Sequence, residues 1–442
     1  MSVALATLLT ACASTPYETP QVPMSAQFTH AGEESDAASQ SADWWTAFND
    51  PALNALISDV LARNNDLAAA ALKVQQAKLQ AGLTKLDQFP SASGSLGVSS
   101  SDSTSYSSSL SVSYEADLYG KLAAATRSAN WEAQATEEDR QASRLSLIGT
   151  ACELYWRIGY THQQITSGQQ DLDYALKVQN LVNIQHDAGA ASGVEVAEAD
   201  QTVNSQRASL ADLQQQLVEY RASLTVLLGG TPLPETSEPQ ALPDIALPDV
   251  RAGLPSELLS RRPDLRAAEL RLRENLADVD IAKKAFYPGL TLTASGGSSS
   301  SELSNLFKNP TGALAASLSL PFLDFPRLSR DVKISRKTYE IAVLDFKTTL
   351  LNALADTDNA LSNRTQLAAQ GEAQKASLDA ARKAEDLYAI RYRTGSVALR
   401  TWLDAQSSRR STQLTYDNIR LSQLINQSTL YQALGGGTDA EQ

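Results

Sequence analysis

Apolar and polar residues follow one another along this chain in two rhythms. The first has period two and occupies four short stretches. Ala92, Gly94, Leu96 and Val98 alternate with Ser91, Ser93, Ser95 and Gly97. Tyr106, Ser108, Leu110, Val112, Tyr114, Ala116 and Leu118 alternate with Ser107, Ser109, Ser111, Ser113, Glu115 and Asp117. Leu290, Leu292 and Ala294 alternate with Thr291, Thr293 and Ser295, and Leu314, Ala316, Leu318, Leu320 and Phe322 share one parity. Successive side chains of a strand point to opposite faces, so each stretch predicts a strand with one apolar face and one face of small polar residues. The pattern sets two β-hairpins, over 91–118 and 289–323, and alternation sustained over about ten residues is the mark of a transmembrane barrel strand.

The second rhythm is helical. Leu210, Leu213, Leu217, Tyr220, Leu224 and Leu227 step alternately by three and four, the seam of a coiled coil. Tyr416, Ile419, Gln423, Asn426, Leu430 and Ala433 repeat those steps with more polar residues. No proline falls between Pro90 and Pro232 or after Pro326, so nothing breaks a helix there. Lys121 to Ala188 and Arg327 to Thr394 are two uninterrupted runs of 68 residues, each of which would extend ~100 Å as a helix. They predict antiparallel helical pairs that turn near Gly189 and Gly395.

These elements occur twice. Asp66 to Pro90 returns as Asp264 to Pro288, shifted by 198 residues, and beyond that the shift is 206, so that Gly189 falls on Gly395 and Leu228-Gly229-Gly230 on Leu434-Gly435-Gly436. A repeat of this length predicts a pseudo-symmetric architecture. The expected organisation is a signal segment at 1–11, an N-terminal strap at 12–42, a first repeat at 43–230 and a Pro-rich linker at 231–255. A second repeat at 256–434 and a tail at 435–442 complete it. With four strands per chain and about eight needed to close a small barrel, and with open edges excluded from lipid, further copies must complete the sheet. Two copies give eight strands and three give twelve.

Composition narrows the functional classes. The net charge of −13 argues against a nucleic-acid partner. His30, His162 and His186 have no metal-site spacing, the Gly-Gly pairs at 229–230 and 296–297 do not open a phosphate-binding helix, and no catalytic residue, metal or cofactor is expected. No run of 18 apolar residues exists to form a transmembrane helix. Cys152 sits in a helical pattern and reads as a buried thiol. Cys12 instead follows the apolar run Val3–Leu9 and the small residue Ala11, which resembles a bacterial lipobox. An ordinary signal peptide is the alternative, and no Lys or Arg precedes the run.

The motif Asp43-Trp44-Trp45-Thr46-Ala47-Phe48-Asn49-Asp50-Pro51, followed by Leu53, Leu56-Ile57 and Asn65-Asp66-Leu67, resembles the opening signature of TolC-like outer-membrane efflux lipoproteins of the NodT type. Leu258-Leu259-Ser260-Arg261-Arg262-Pro263-Asp264-Leu265 and Ala285-Phe286-Tyr287-Pro288 resemble the second-repeat signatures. The resemblance spans Cys12 to about Gly436. It implies a mainly α protein with a transmembrane β part: a homotrimer whose 12-stranded barrel, four strands per chain, continues into a long antiparallel coiled-coil helical barrel. It implies the non-enzymatic exit duct of a tripartite efflux pump in the bacterial outer membrane, lipid-anchored through Cys12 and expelling drugs or other toxic small molecules. The implied partners are a periplasmic adaptor, an inner-membrane transporter of the resistance-nodulation-division class and outer-membrane lipid.

The resemblance also implies site residues. Asp404 matches an acidic position of the closed periplasmic aperture, Thr401 stands where another acid is common, and Arg400 is a candidate partner. Glu195 and Glu198 are the acids of the first-repeat tip. Adaptor hairpins would dock on the tips, at Gly189, Ala190, Ser192 and Gly193 and at Gly395, Ser396 and Ala398. Two other readings compete with drug efflux. One is a duct for type I protein secretion or metal-ion efflux; the other is a soluble periplasmic adaptor or scaffold lipoprotein, which would lack paired barrel-type hairpins.

Overall fold

The computed structural model describes residues 15–30, 43–101, 103–250 and 253–437. Cys12 and the signal segment lie outside the described residues. The first repeat comprises α1 (Pro51–Arg63), α2 (Asn65–Leu86), β1 (Ser91–Ser100), β2 (Thr104–Ala116), α3 (Lys121–Asp187) and α4 (Gly193–Leu227). The second comprises α5 (Leu258–Arg261), α6 (Pro263–Lys284), β3 (Gly289–Ser300), β4 (Thr311–Ser319), α7 (Phe325–Arg393) and α8 (Leu399–Ala433). The long helices have 67 and 69 residues, and the returning helices 35 each.

The duplication reaches individual contacts. Asn64 Nδ2 donates to the Leu227 carbonyl at 3.1 Å, and its counterpart Arg262 Nη1 donates to the Ala433 carbonyl at 3.3 Å. Both returning helices therefore have an end carbonyl satisfied by the residue just before the second helix of the same repeat. Gly229 and Gly435, at φ of +65° and +93°, follow those helices, and a side chain there would meet the Arg63 or Arg261 backbone within 2.6 or 2.7 Å. Glycine is needed at both positions for backbone conformation and for close approach.

Two differences from the sequence reading have local causes. Strand β4 stops at Ser319 although the apolar parity runs on through Leu320 and Phe322, because Pro321 has no N–H for the ladder and opens a 3₁₀ turn, Pro321–Asp324. Helix α7 begins at Phe325 and carries Pro326 in its first turn, where a missing N–H costs nothing, instead of starting after it.

Contacts divide the chain into two compact units that cut across the repeats. One takes residues up to Pro23, Ala69–Gln141 and Pro263–Leu351; the other takes Met24–Ala68, Ala142–Arg262 and Asn352–Gln442. The first unit holds an antiparallel sheet in the order β1-β2-β3-β4. It also binds the strap. Thr15 donates through its N–H (3.0 Å) and its hydroxyl (2.6 Å) to the buried Asp280 carboxylate, and Lys283 Nζ donates to the Thr15 hydroxyl at 2.8 Å. The Arg273 guanidinium lies 4.7 Å from the Tyr17 ring centre and 5.4 Å from that of Trp131.

The second unit is cored by the opening aromatic motif. Trp44 stacks on Tyr431 at 4.8 Å, and Phe48 meets Trp156 edge-on at 4.9 Å. Asp50 caps α1 by accepting from the Ala52 and Leu53 N–H groups, and its other oxygen accepts from the Tyr155 hydroxyl at 2.9 Å. Cys152 is fully buried, and desolvation pushes its thiol far above the ordinary range, which makes it inert. The Pro-rich linker is held by side chains. The buried Glu238 accepts from Arg221 at 2.8 and 2.7 Å and contacts His162 Nε2 at 2.8 Å, while Gln427 donates to the Pro248 carbonyl at 2.7 Å.

Candidate functional site: sheet edges and hairpin tips

The sheet is amphipathic across its whole width. Register places Ala92, Val112, Ala294 and Leu314 in one row and Tyr114, Leu292 and Ala316 in another, all on one face. The opposite face carries rows such as Ser93, Ser111, Ser295 and Ala313, with Ser95 and Ser109 hydroxyls 2.8 Å apart. Glu115, an acid on that face, is paired with Lys121 at 3.2 Å. Aromatic residues gather where strands meet helices: Tyr119 stacks on Tyr287 at 4.6 Å and Phe286 meets Phe325 at 5.8 Å.

Both edges of the sheet are open. Among the described residues β1 and β4 each pair on one side only, and every residue of both is exposed. The helices joined to those edge strands are open too. α2, which leads into β1, exposes Leu72, Leu79, Leu83 and Leu86, and α7, which follows β4, exposes Ile334, Ile341, Leu344 and Leu351. Steps of seven, four and three are heptad spacing, the pattern of a helix that packs against another helix.

The hairpin tips of the second unit have a common backbone. After α3, Gly189 N–H donates to the His186 carbonyl at 2.8 Å and Ala190 N–H to the Gln185 carbonyl at 2.7 Å; after α7, Gly395 donates to Tyr392 at 2.9 Å and Ser396 to Arg391 at 2.8 Å. These are Schellman caps, with Gly189 and Gly395 left-handed at φ of +73° and +72° and open space around both. The helices that return differ. Ser192 and Glu195 form a reciprocal capping box at the start of α4, just before and across Gly193, whereas Ala398 heads α8 with no side-chain cap.

The structure brings together some of the acidic and basic residues singled out above and separates others. Glu195 is engaged in its cap, with the Ser192 N–H donating to it at 2.7 Å. Arg400 Nη1 lies 3.1 Å from Glu198 Oε1, across the two hairpins, while its Nε lies 3.9 Å from Asp404 on its own helix. Arg400 is thus bound more closely by Glu198 than by Asp404, whose side chain is 70% exposed. Thr401 is exposed and its N–H donates to the Ala398 carbonyl.

Sequence reasoning missed the residue at the centre of the tip. Trp402 is buried with Val178, Val182, Ala199 and Leu399, residues drawn from both hairpins. It stacks on Tyr392 at 5.1 Å and meets Tyr174 edge-on at 5.7 Å. Burial pushes both phenols up, so they stay neutral, and the Tyr392 hydroxyl donates to Gln185 at 3.0 Å. A tryptophan one turn into a helix of polar pattern was the available signal.

An amphipathic four-stranded sheet with open edges, joined to very long helical hairpins, defines a channel-forming outer-membrane protein. The sequence matches the family described as Outer membrane efflux protein over residues 56–230 and 254–436, and the chain belongs to that family. It is 33% identical to the pyoverdine export outer membrane protein OpmQ of Pseudomonas aeruginosa, over 98% of this chain and 96% of that one. It is 30% identical to the cation efflux system protein CusC of Escherichia coli, over 98% and 97%. The open-state MtrE outer membrane channel of Neisseria gonorrhoeae superposes with a TM-score of 0.84 at 29% identity, covering 96% of this chain and 98% of that one. The chain is therefore an outer-membrane efflux channel of mainly helical, TolC-like fold, a transport protein and not an enzyme, and the reading as a soluble adaptor is set aside.

Proposed function

We propose that three copies of this chain close into one exit duct, a 12-stranded barrel continued by a helical tunnel, and that the duct serves a tripartite pump. The observation that carries this reading is the pair of open flanks. β4 and the heptad stripe of α7 on one copy complement β1 and the stripe of α2 on the next, a heterologous contact that closes into a ring. The apolar face then meets lipid and the hydroxyl-rich face lines the lumen.

The hairpin tips form the periplasmic entrance, where a periplasmic adaptor docks on the small residues around Gly189 and Gly395 and joins the duct to an inner-membrane transporter of the resistance-nodulation-division class. Symmetry gathers the exposed Asp404 carboxylates into a ring that favours cations. Relatives named for pyoverdine export and for cation efflux match this chain over nearly its whole length. One duct architecture thus accompanies unlike cargoes, so the transporter selects the small molecules expelled and this chain conducts them. Cys12 is the acylated anchor. Thr15, three residues on in the sequence, is pinned to Asp280 near the strand end of α6.

Conductance in planar bilayers tests the entrance. Asp404→Ala lowers cation selectivity or raises the leak current of the reconstituted protein. Unchanged selectivity and gating would remove Asp404 from the aperture.

A further inference from the structure

We propose that the apolar face of the sheet carries a binding site for one acyl chain of an outer-leaflet lipid, in a trough roofed at one side by the β3–β4 loop; this rests on the barrel reading above. The trough has a volume of about 670 Å³ and is lined by Leu96, Leu110, Phe307 and Pro310 over a floor that includes Gly94 and Gly296. That volume lies within the ~300–1,000 Å³ of small-molecule sites.

The floor arises from register. Gly94, Leu110, Gly296 and Gly312 form one row across all four strands, and Leu96, Ser108 and Ser298 the next row on the same face. On a face whose rows nearer the helices carry Leu, Val, Ala and Tyr, three residues of this row have no side chain. Backbone geometry does not demand this. None of the three has a positive φ, and a side chain would meet nothing closer than 3.7 Å at Gly94, 3.7 Å at Gly296 and 3.9 Å at Gly312. Gly297, one residue along on the other face, is different: a side chain there would meet the Ser108 carbonyl at 2.8 Å. Glycine at Gly297 serves the sheet, whereas glycine at Gly94, Gly296 and Gly312 leaves space.

The loop gives the space a wall. Ser298 Oγ donates to the Asn309 carbonyl at 3.2 Å, Leu306 is buried, and Ser298 is covered although it stands on a membrane-facing row. Phe307 is left 74% exposed at the rim, level with Leu96 at 79%. A largely apolar trough on the bilayer-facing surface, with no charged lining residue and only hydroxyls among its polar side chains, fits an alkyl chain.

The test uses the full chain reconstituted in vesicles of phosphatidylcholine with brominated acyl chains, then extracted into an alkyl maltoside and washed. Tryptophan reporters are Phe307→Trp at the trough and Leu318→Trp on the same face away from it, with the emission of the parent protein subtracted. In vesicles both are quenched. After washing, L318W recovers its emission and F307W stays quenched, because its lipid is retained; adding Gly296→Leu or Gly94→Leu, which fill the floor, releases it. Recovery of F307W together with L318W would overturn the site, as would quenching that survives both filling variants. An L318W protein unquenched in vesicles would instead overturn the barrel reading and the trough with it.

Discussion

Helices α2 and α6 are counterparts of equal length, 22 residues each, yet α2 buries two residues and α6 nine. α6 lies inside the first unit, tied by Arg266 to Glu138 at 2.6 Å, and also binding the strap. α2 leads to an open strand and leaves four leucines in solvent. The same ancestral helix thus has two environments, and the difference marks which flank is finished within one chain and which awaits another copy. The returning helices differ in a second way. α4 buries Leu210, Leu217 and Leu224 and begins with its own capping box, whereas α8 buries Asn426 and Gln427 and begins uncapped. Asn426 donates to the Ala360 carbonyl at 3.0 Å, so the polar seam of α8 is satisfied by α7. The first hairpin is held at its tip by local bonds, the second by Trp402 and Arg400 reaching to the first.

That contrast is open to attack from several sides. Trp402→Ala should cost the tip about 3–5 kcal/mol, the usual range for an aromatic core truncation. Hydrogen exchange should then rise over 388–403 while α4, with its own cap, stays protected; equal loosening of both hairpins would contradict the asymmetry. Exchanging the caps should act next. Ser192→Ala should destabilise the first tip by about 0.5–2 kcal/mol, and Ala398→Ser should strengthen the second, both read by exchange at the first turn of each helix.

A third probe uses Glu274, whose first-repeat counterpart is the neutral Gln76. Burial, with Glu132 and Asp278 nearby, raises its pKa to about 7. The folded chain holds this proton more tightly than the unfolded one, so stability falls as pH rises from the ordinary carboxylate range to about 7 and stays lower above it. Glu274→Gln should therefore raise thermal stability at pH 8 by roughly 1 kcal/mol, allowing for its half-exposed position, and change little at pH 4. The smallest effect should come from the Arg400–Glu198 pair, because Arg400 is largely exposed. A double-mutant cycle with Arg400→Ala and Glu198→Ala should give a coupling of about 0.2–1 kcal/mol, while Arg400 with Asp404 should give less.

Much of this architecture was legible because it is periodic. Alternation located all four strands, and the spacing of glycine and proline located the long helices and their turns. The end of β4 was misread because Leu320 and Phe322 keep the parity after Pro321 has ended the ladder. The tip was less legible, since its bonds join residues some two hundred positions apart. Arg400 has an acid four residues on in its own helix, and nothing in the pattern announces that Glu198 lies closer. Trp402 was passed over because a single aromatic in a polar helix has no period to reveal its face.

The open flanks of α2, β1, β4 and α7 call for further copies of the chain, and native mass spectrometry of the full-length protein extracted from outer membranes counts them. A trimer whose subunits lack residues 1–11 and carry acyl mass at Cys12 is the expected result. A monomer without lipid, with the edges of its sheet unpaired, would contradict it.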